Sequence, residues 1–394
     1  MATPPRPAAF LDPGAPAFLD DPHPIFDALR ARHPVVRDPL GWSLISYATC
    51  DAAFHDRALV PGIDNLLEEK GIGALWGTPG HTLTDSEGVD HQRLRRAVSP
   101  WFTQRRIETL RDRVRETSAT ILDAVAAGDS FDAMAQLADV IPSRLFCWMV
   151  GAPDSDADEL ARMSKALLLV FTATDEMVEP VRAAKAELAR YTRQLLAGKR
   201  AAPGEDLATM LSAAEADGAL SEQDVVDLLE ELLGASVDNT ANTAGLAVWT
   251  LATHPEQWAY LHDHPAALAQ AVEECGRFQP AIRHTIKFAV DDTVVATQPI
   301  AAGEYVTVRI AAAHRDPQTY PDPHALDITR PLAKPQLAFG AGRHYCLGAA
   351  LGKMEVQEIL GGIVSRWATC TPGDGVEMSL VASGHVGKLP LVFG

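Results

Sequence analysis

Residues 339–348 read FGAGRHYCLG, and an apolar, helix-forming run, LGAALGKMEVQEIL, continues from Leu347. Phe339, Gly340, Gly342, His344, Cys346 and Gly348 stand at fixed offsets in this stretch. Glycines permit tight turns and close approach of the backbone to a flat ligand. A cysteine just ahead of a helix N-terminus sits in the positive end of the helix dipole, which favours the thiolate. Without the surrounding spacing, a cysteine in a Gly-rich loop is better read as a small buried hydrophobe.

The spacing decides between these readings. FGAGRHYCLG matches, without a gap, the pattern FGxGxHxCxG, and so resembles the heme-ligand signature of the cytochrome P450 family. The resemblance implies that Cys346 is the axial thiolate of heme b (iron protoporphyrin IX). Such a ligand pushes electron density toward the metal. It also implies heme-contacting roles for Phe339 and Gly348 and a propionate contact for His344.

Composition bounds the rest. The chain has 394 residues, 47% of them hydrophobic and 22% charged, which is globular and ample for a large core. A formal net charge of −18 argues against nucleic acid as the main partner. Five widely spaced cysteines read neither as a disulfide framework nor as a zinc site, which favours a reducing cytoplasm. No signal peptide or membrane anchor is visible in the Pro-rich start.

Along the chain, residues 1–22 read as an extended N-terminal arm, and residues 23–394 as one domain. Residues 24–32 look helical, and a hairpin and helix follow through PVVRDPLGWSLISYATCDAAF. Residues 57–89 read as a long irregular loop. From about residue 90 to residue 330 the pattern is mostly helical. Its longest helix starts at Ser221 as N-cap and stops before Pro255. Short β signals cluster at 288–310 and 378–393. The fold class is therefore mainly α with small β-sheets. The resemblance places the heme between the long central helix and the Cys346 loop.

Other groups gain meaning from that family. Glu274 and Arg277 form an ExxR on one helix face; alone it reads as a surface ion pair worth at most about 1 kcal/mol. The resemblance makes it a structural pair that locks onto the stretch RDPQTYPDPHALDITRP at 315–331. His91 and Arg95, four residues apart, suit an anionic clamp, and the family supplies heme propionates as the anion. Taken alone they are a solvated basic face. Lys287 stands where many members carry an arginine, and lacks the planar fork.

The stretch LLGASVDNTANTAG in the long helix aligns with the family's oxygen-binding segment. Asp238, Asn239 and Thr240 become the candidate catalytic residues, with Asn239 where most members have a proton-relay threonine. The alternative is a helix interior whose small polar side chains bond carbonyls one turn back. Glu231, Ala235, Arg283, Thr285, Ala382 and Ser383 are the candidate substrate residues. Glu231 and Arg283 are expected either to pair with each other or to bind a polar substrate, because a buried unpaired charge is costly. Arg93, Arg96, Arg105, Arg106, Arg111, Arg113 and Arg115 crowd one region. They read equally as a solubilising surface and as a basic docking face for an acidic electron-transfer protein. His254, His262 and His264 flank prolines and read as an ordinary connector, not a metal site.

The chain is thus identified as a soluble bacterial heme-thiolate monooxygenase. It would oxidise a small organic substrate with O2 and two electrons from a ferredoxin-type donor and its NAD(P)H reductase. Two rival readings keep the heme: an isomerase, dehydratase or peroxygenase that does not reduce O2, and a non-catalytic accessory protein.

Overall fold

The computed structural model describes residues 9–73, 75, 81–125, 130–172, 175–331, 334–380 and 384–394. The elements that carry the site are, in chain order, α1 (Pro16–Asp20), α2 (Ile63–Glu69), α3 (Gly88–Val98), α4 (Gln104–Asp123), α5 (Val178–Ala201), α6 (Glu222–Ala252), α7 (Leu268–Phe278) and α8 (Ala349–Val364). The main sheet uses β1 (Val35–Arg37), β2 (Gly41–Leu44), β3 (Leu59–Pro61), β4 (Thr285–Ala289) and β5 (Tyr305–Val308). Helices dominate and the sheets are small, as the sequence pattern predicts.

The chain forms two compact units of interleaved segments. One contains residues 1–62, 273–346 and 379–385; the other contains 63–272, 347–378 and 386–394. In the first unit the sheet order is β1-β2-β5-β4-β3. The predicted hairpin is β1–β2, antiparallel with Val36 opposite Ser43. β2 then pairs in parallel with β5, a non-local pairing that no local pattern announces. Trp42, Leu44, Phe54, Val306 and Val308 make the apolar core under it.

The predicted extended arm is not extended where it is described. Phe18 of α1 and Leu11 are buried with Phe26, Val36 and Ile45. Pro16 opens α1, because a helix start needs no N–H there. The predicted irregular stretch 57–89 likewise holds β3 and α2, elements too short for periodicity to reveal.

In the second unit α6 is the spine. Ser221 is its N-cap, as expected, and a capping box forms with Asp224. Its residues are buried on nearly all sides, so the helix reads apolar all round rather than as a stripe. α6 packs against α8, and there a Cβ on Gly352 would lie 3.7 Å from Thr240 Oγ1. Among the described residues no helix is long and apolar enough to cross a membrane.

Candidate active site

The Cys346 loop belongs to the first unit. Its backbone closes on itself: the Cys346 N–H donates to Phe339 O at 2.9 Å, and the Gly340 N–H to Leu337 O at 2.9 Å. Gly340 and Gly342 both take φ of 67°, where a side chain is strained. A Cβ on Gly342 would also come within 2.5 Å of Phe54 O. Arg343, at an unspecified position within the motif, pins the loop, with Nη1 donating to Asp56 O at 3.0 Å and Nη2 to Leu59 O at 3.3 Å. Sequence reasoning missed this anchor because its acceptors are carbonyls nearly three hundred residues away.

Cys346 is exposed, while Cys50, Cys147, Cys275 and Cys370 are all buried. Burial pushes those four thiols well above their ordinary range, so they stay protonated and inert. Cys346 is thus the cysteine placed to meet a ligand. Tyr345 beside it is also exposed, and His344 is half-buried in the short turn Gly342–His344.

Behind this loop lies the Glu274–Arg277 pair. It is no surface ion pair: both side chains are 0% exposed. Arg277 uses every N–H of its guanidinium. Nε and Nη2 donate to the two Glu274 oxygens at 2.7 Å. Nη1 donates to His314 O and Pro323 O, and Nη2 also reaches Ala325 O. Glu274 further accepts from the Asp327 N–H and from Arg330 Nε, both at 3.1 Å. The stretch expected to meet the ExxR pair does so through its carbonyls.

His314 completes this network and was not foreseen. The Leu337 N–H donates to its Nε2 at 2.6 Å, so the proton sits on Nδ1, which bonds Arg277 O at 3.0 Å. Burial, reinforced by the nearby Arg277 charge, lowers the His314 pKa to about 3 and keeps the ring neutral. One neutral ring therefore ties the ExxR helix α7 to the residue two positions before Phe339.

Three further candidates share this unit. Lys287 on β4 is buried, with Nζ 5.6 Å from the centre of the Phe54 ring. Thr285 opens the same strand, half-buried. Arg283 is buried and donates to Gln279 Oε1 at 3.0 Å; burial lowers its pKa to about 10. Ala382 and Ser383 lie outside the described residues.

The second unit carries the other candidates. On α6, Ala235 is exposed and Asp238, Asn239 and Thr240 are half-buried, an interruption in a helix otherwise buried on all sides. The back-bonding pattern is present: Asn239 Nδ2 donates to Ala235 O at 3.1 Å and Thr243 Oγ1 to Asn239 O at 2.7 Å. Asn242 Nδ2 donates to Asp238 Oδ2 at 2.8 Å, and Asn242 Oδ1 accepts from the Val386 N–H at 2.8 Å. Asn242 thus orients the Asp238 carboxylate, a role absent from the sequence reading.

Glu231 is balanced locally. Its oxygens accept from the Leu83 N–H at 2.6 Å, the Thr84 N–H at 2.7 Å and the Thr84 hydroxyl. The expectation that Glu231 needs Arg283 or a polar substrate gives way to this arrangement. Backbone N–H groups can neutralise a buried carboxylate, and spacing along a helix does not show them.

His91 and Arg95 share one face of α3, with His91 buried and Arg95 half-buried. Arg93 holds α3 to α6: it forks onto Asp224 at 2.8 and 3.1 Å. Burial raises the Asp224 pKa, but Arg93, Ser221 and His81 outweigh it and hold the carboxyl below the usual range. Arg111 and Arg115 both pair with Glu358 of α8, and Arg113 covers the Trp148 ring. Of the arginine cluster, Arg96, Arg105, Arg113 and Arg115 are exposed. His254, His262 and His264 each bond a backbone carbonyl through Nδ1.

A family model for cytochrome P450 matches residues 266–391, which contain the ExxR pair and the Cys346 loop. The vitamin D(3) 25-hydroxylase of Pseudonocardia autotrophica is 34% identical over 351 residues, covering 87% of this chain and 86% of that protein. This chain belongs to the cytochrome P450 family. The mycinamicin IV hydroxylase/epoxidase of Micromonospora griseorubida is also 34% identical, covering 86% of this chain and 87% of that protein. The crystal structure of CalO2 superposes with a TM-score of 0.91 at 27% identity, over 98% of this chain and 99% of that one.

As a cytochrome P450, the protein is a heme-iron monooxygenase that acts on a small organic substrate with O2 and a redox partner. The residues fit the cofactor. The exposed thiol sits on a loop turned by two positive-φ glycines, and β4 of the same unit carries the basic Lys287.

Proposed function

We propose that this cytochrome P450 binds heme b through the Cys346 thiolate, and hydroxylates or epoxidises a natural-product substrate of bacterial secondary metabolism. His91, Arg95, Lys287 and His344 would hold the propionates, and Phe339 and Gly348 would flank the macrocycle. Bound heme supplies the activation of dioxygen and the transfer of one oxygen atom. The observation that carries this reading is Cys346 itself: the exposed cysteine, on a loop closed by its own N–H and braced by Arg343.

The chain's own residues do the positioning and the proton work. Asp238 is the candidate proton source, with its carboxylate oriented by Asn242. Thr240 offers a hydroxyl that can both donate and accept. Asn239 has an amide donor and an acceptor but no hydroxyl proton, so it orients water or substrate. Ala235 and Thr285 are proposed to meet the substrate, together with Arg283 and the segment holding Ala382 and Ser383. The names of relatives that act on vitamin D(3) and mycinamicin IV support a bulky, largely apolar substrate. Exposed Arg96 and Arg105 support docking of an acidic ferredoxin-type donor served by an NAD(P)H reductase. Five free cysteines support a cytoplasmic location.

The test is the spectrum of the reduced, CO-bound protein. The parent should show the red-shifted Soret band of thiolate ligation, and Cys346→His should lose it. A variant with the parent's spectrum overturns the assignment.

A further inference from the structure

Residues 81–87, which lead into α3, are fastened along α6 at two points. His81 Nδ1 lies 2.7 Å from Asp224 Oδ1, and Leu83 and Thr84 bond Glu231 as described above. Asp224 and Glu231 are seven residues apart, about 10 Å along a helix, which an extended run from His81 to Thr84 spans. Thr82 and Ser86 are buried, and a turn closes between them through the Ser86 N–H and Thr82 O at 3.2 Å.

Beside Glu231 the chemistry changes character. Asp85 of this segment and Asp64 of α2 are neighbouring carboxyls, and each buries an oxygen that finds no donor among the described residues. Two carboxylates attract only if they share a proton. The remaining charges facing the cluster are Glu68 from α2, Asp227 and Glu230 from α6, and Lys185 and Arg193 from α5. Among the described residues the carboxyls outnumber the two facing cations, Lys185 and Arg193, so the cluster retains a proton at ordinary pH.

We propose that Glu231 is a positioning residue: it latches residues 82–85, and through them α3 with His91 and Arg95, onto α6, and the Asp64–Asp85 pair is the proton-sensitive part of that latch. No step of the oxygen chemistry uses these acids. The link to heme retention rests on the proposed propionate roles of His91 and Arg95; the latch itself does not.

The sign follows from the proton. Burial, then the charges of Asp64 and Glu231, push the Asp85 pKa up to about 8, far above its ordinary value. The latched state therefore holds a proton that a released, hydrated segment gives up. Latching is strongest at low pH, weakens as pH rises from about 4, and levels off above about 8.

Hydrogen exchange of the Leu83 and Thr84 amides, corrected for intrinsic rates, reads the latch directly in the full-length holoprotein. From pH 6 to 9 the parent should lose protection tenfold or more. Asp85→Asn should make that profile flat. Glu231→Gln should expose both amides tenfold or more at pH 7 while the helix Pro255–Asp263 stays protected. A flat parent profile, unchanged protection in Glu231→Gln, or an unaltered slope in Asp85→Asn overturns the latch. If Glu231→Gln does not fold, the parent's profile still decides. Faster exchange with undiminished heme retention in Glu231→Gln keeps the latch and overturns only its coupling to His91 and Arg95. That outcome is separate from the Cys346 spectrum.

Discussion

Around Arg277 every buried charge meets an opposite charge or a carbonyl, whereas along α6 from Asp227 to Thr243 the acidic side chains meet backbone N–H groups and amides. The first network is built from guanidinium forks, whose five donors match two carboxylate oxygens and three carbonyls. Its one histidine is held neutral, because burial lowers the His314 pKa to about 3. The second region contains acids with raised pKa and side chains that bond their own helix. A chain that must hold a ligand loop fixed uses the first kind of network; one that must move protons or adapt to substrate keeps the second.

The comparison breaks most severely at Arg277. Arg277→Leu strands the Glu274 charge at zero exposure and frees three carbonyls of 314–325. Removing one partner of such a pair costs about 3–5 kcal/mol. Urea unfolding should show that loss, or the variant should fail to accumulate folded. A loss under 1 kcal/mol would mean that Arg330 replaces it.

His314 gives the next effect. A histidine whose folded pKa is lowered binds its proton only when unfolded. Its contribution is complete above about pH 6.5 and falls by about 1.4 kcal/mol per pH unit on acidification toward pH 3. His314→Gln should be less stable than the parent at pH 7, yet have a shallower acid limb between pH 6 and 4. Parallel acid limbs would show that His314 does not control that slope.

What the sequence made legible follows the same division. FGAGRHYCLG, the ExxR pair and the Ser221 cap are short-range signals, and each occurs where the pattern predicts it. Mainly helical architecture follows from apolar periodicity. The parallel pairing of β2 with β5 stayed hidden, as did the Arg343 anchor and the His314 relay, because each joins residues far apart in sequence. Glu231 was misread for a related reason. Helical spacing gave its position but not the N–H groups of Leu83 and Thr84 that satisfy it.

The smallest expected effect on stability, and the sharpest on chemistry, is at Asn239. Its amide donates to Ala235 O, a carbonyl already within the helix ladder, so truncation leaves no buried group unpaired. Asn239→Ala should change stability by no more than about 0.5 kcal/mol, since only surplus back-bonding is lost. The Thr243 hydroxyl bonds the Asn239 carbonyl, not its side chain, and survives the change. The consequence then falls on catalysis. If Asn239 orients water or substrate without donating a proton, Asn239→Ala should consume NAD(P)H at much of the parent rate but form less product and more peroxide per reducing equivalent. Asn239→Thr restores a hydroxyl and should keep substantial coupling. The measurement is product and peroxide per NAD(P)H with saturating redox partner. An Asn239→Ala enzyme as coupled and regioselective as the parent would remove Asn239 from the mechanism, and leave Asp238, held by Asn242, as the residue that delivers protons on this helix.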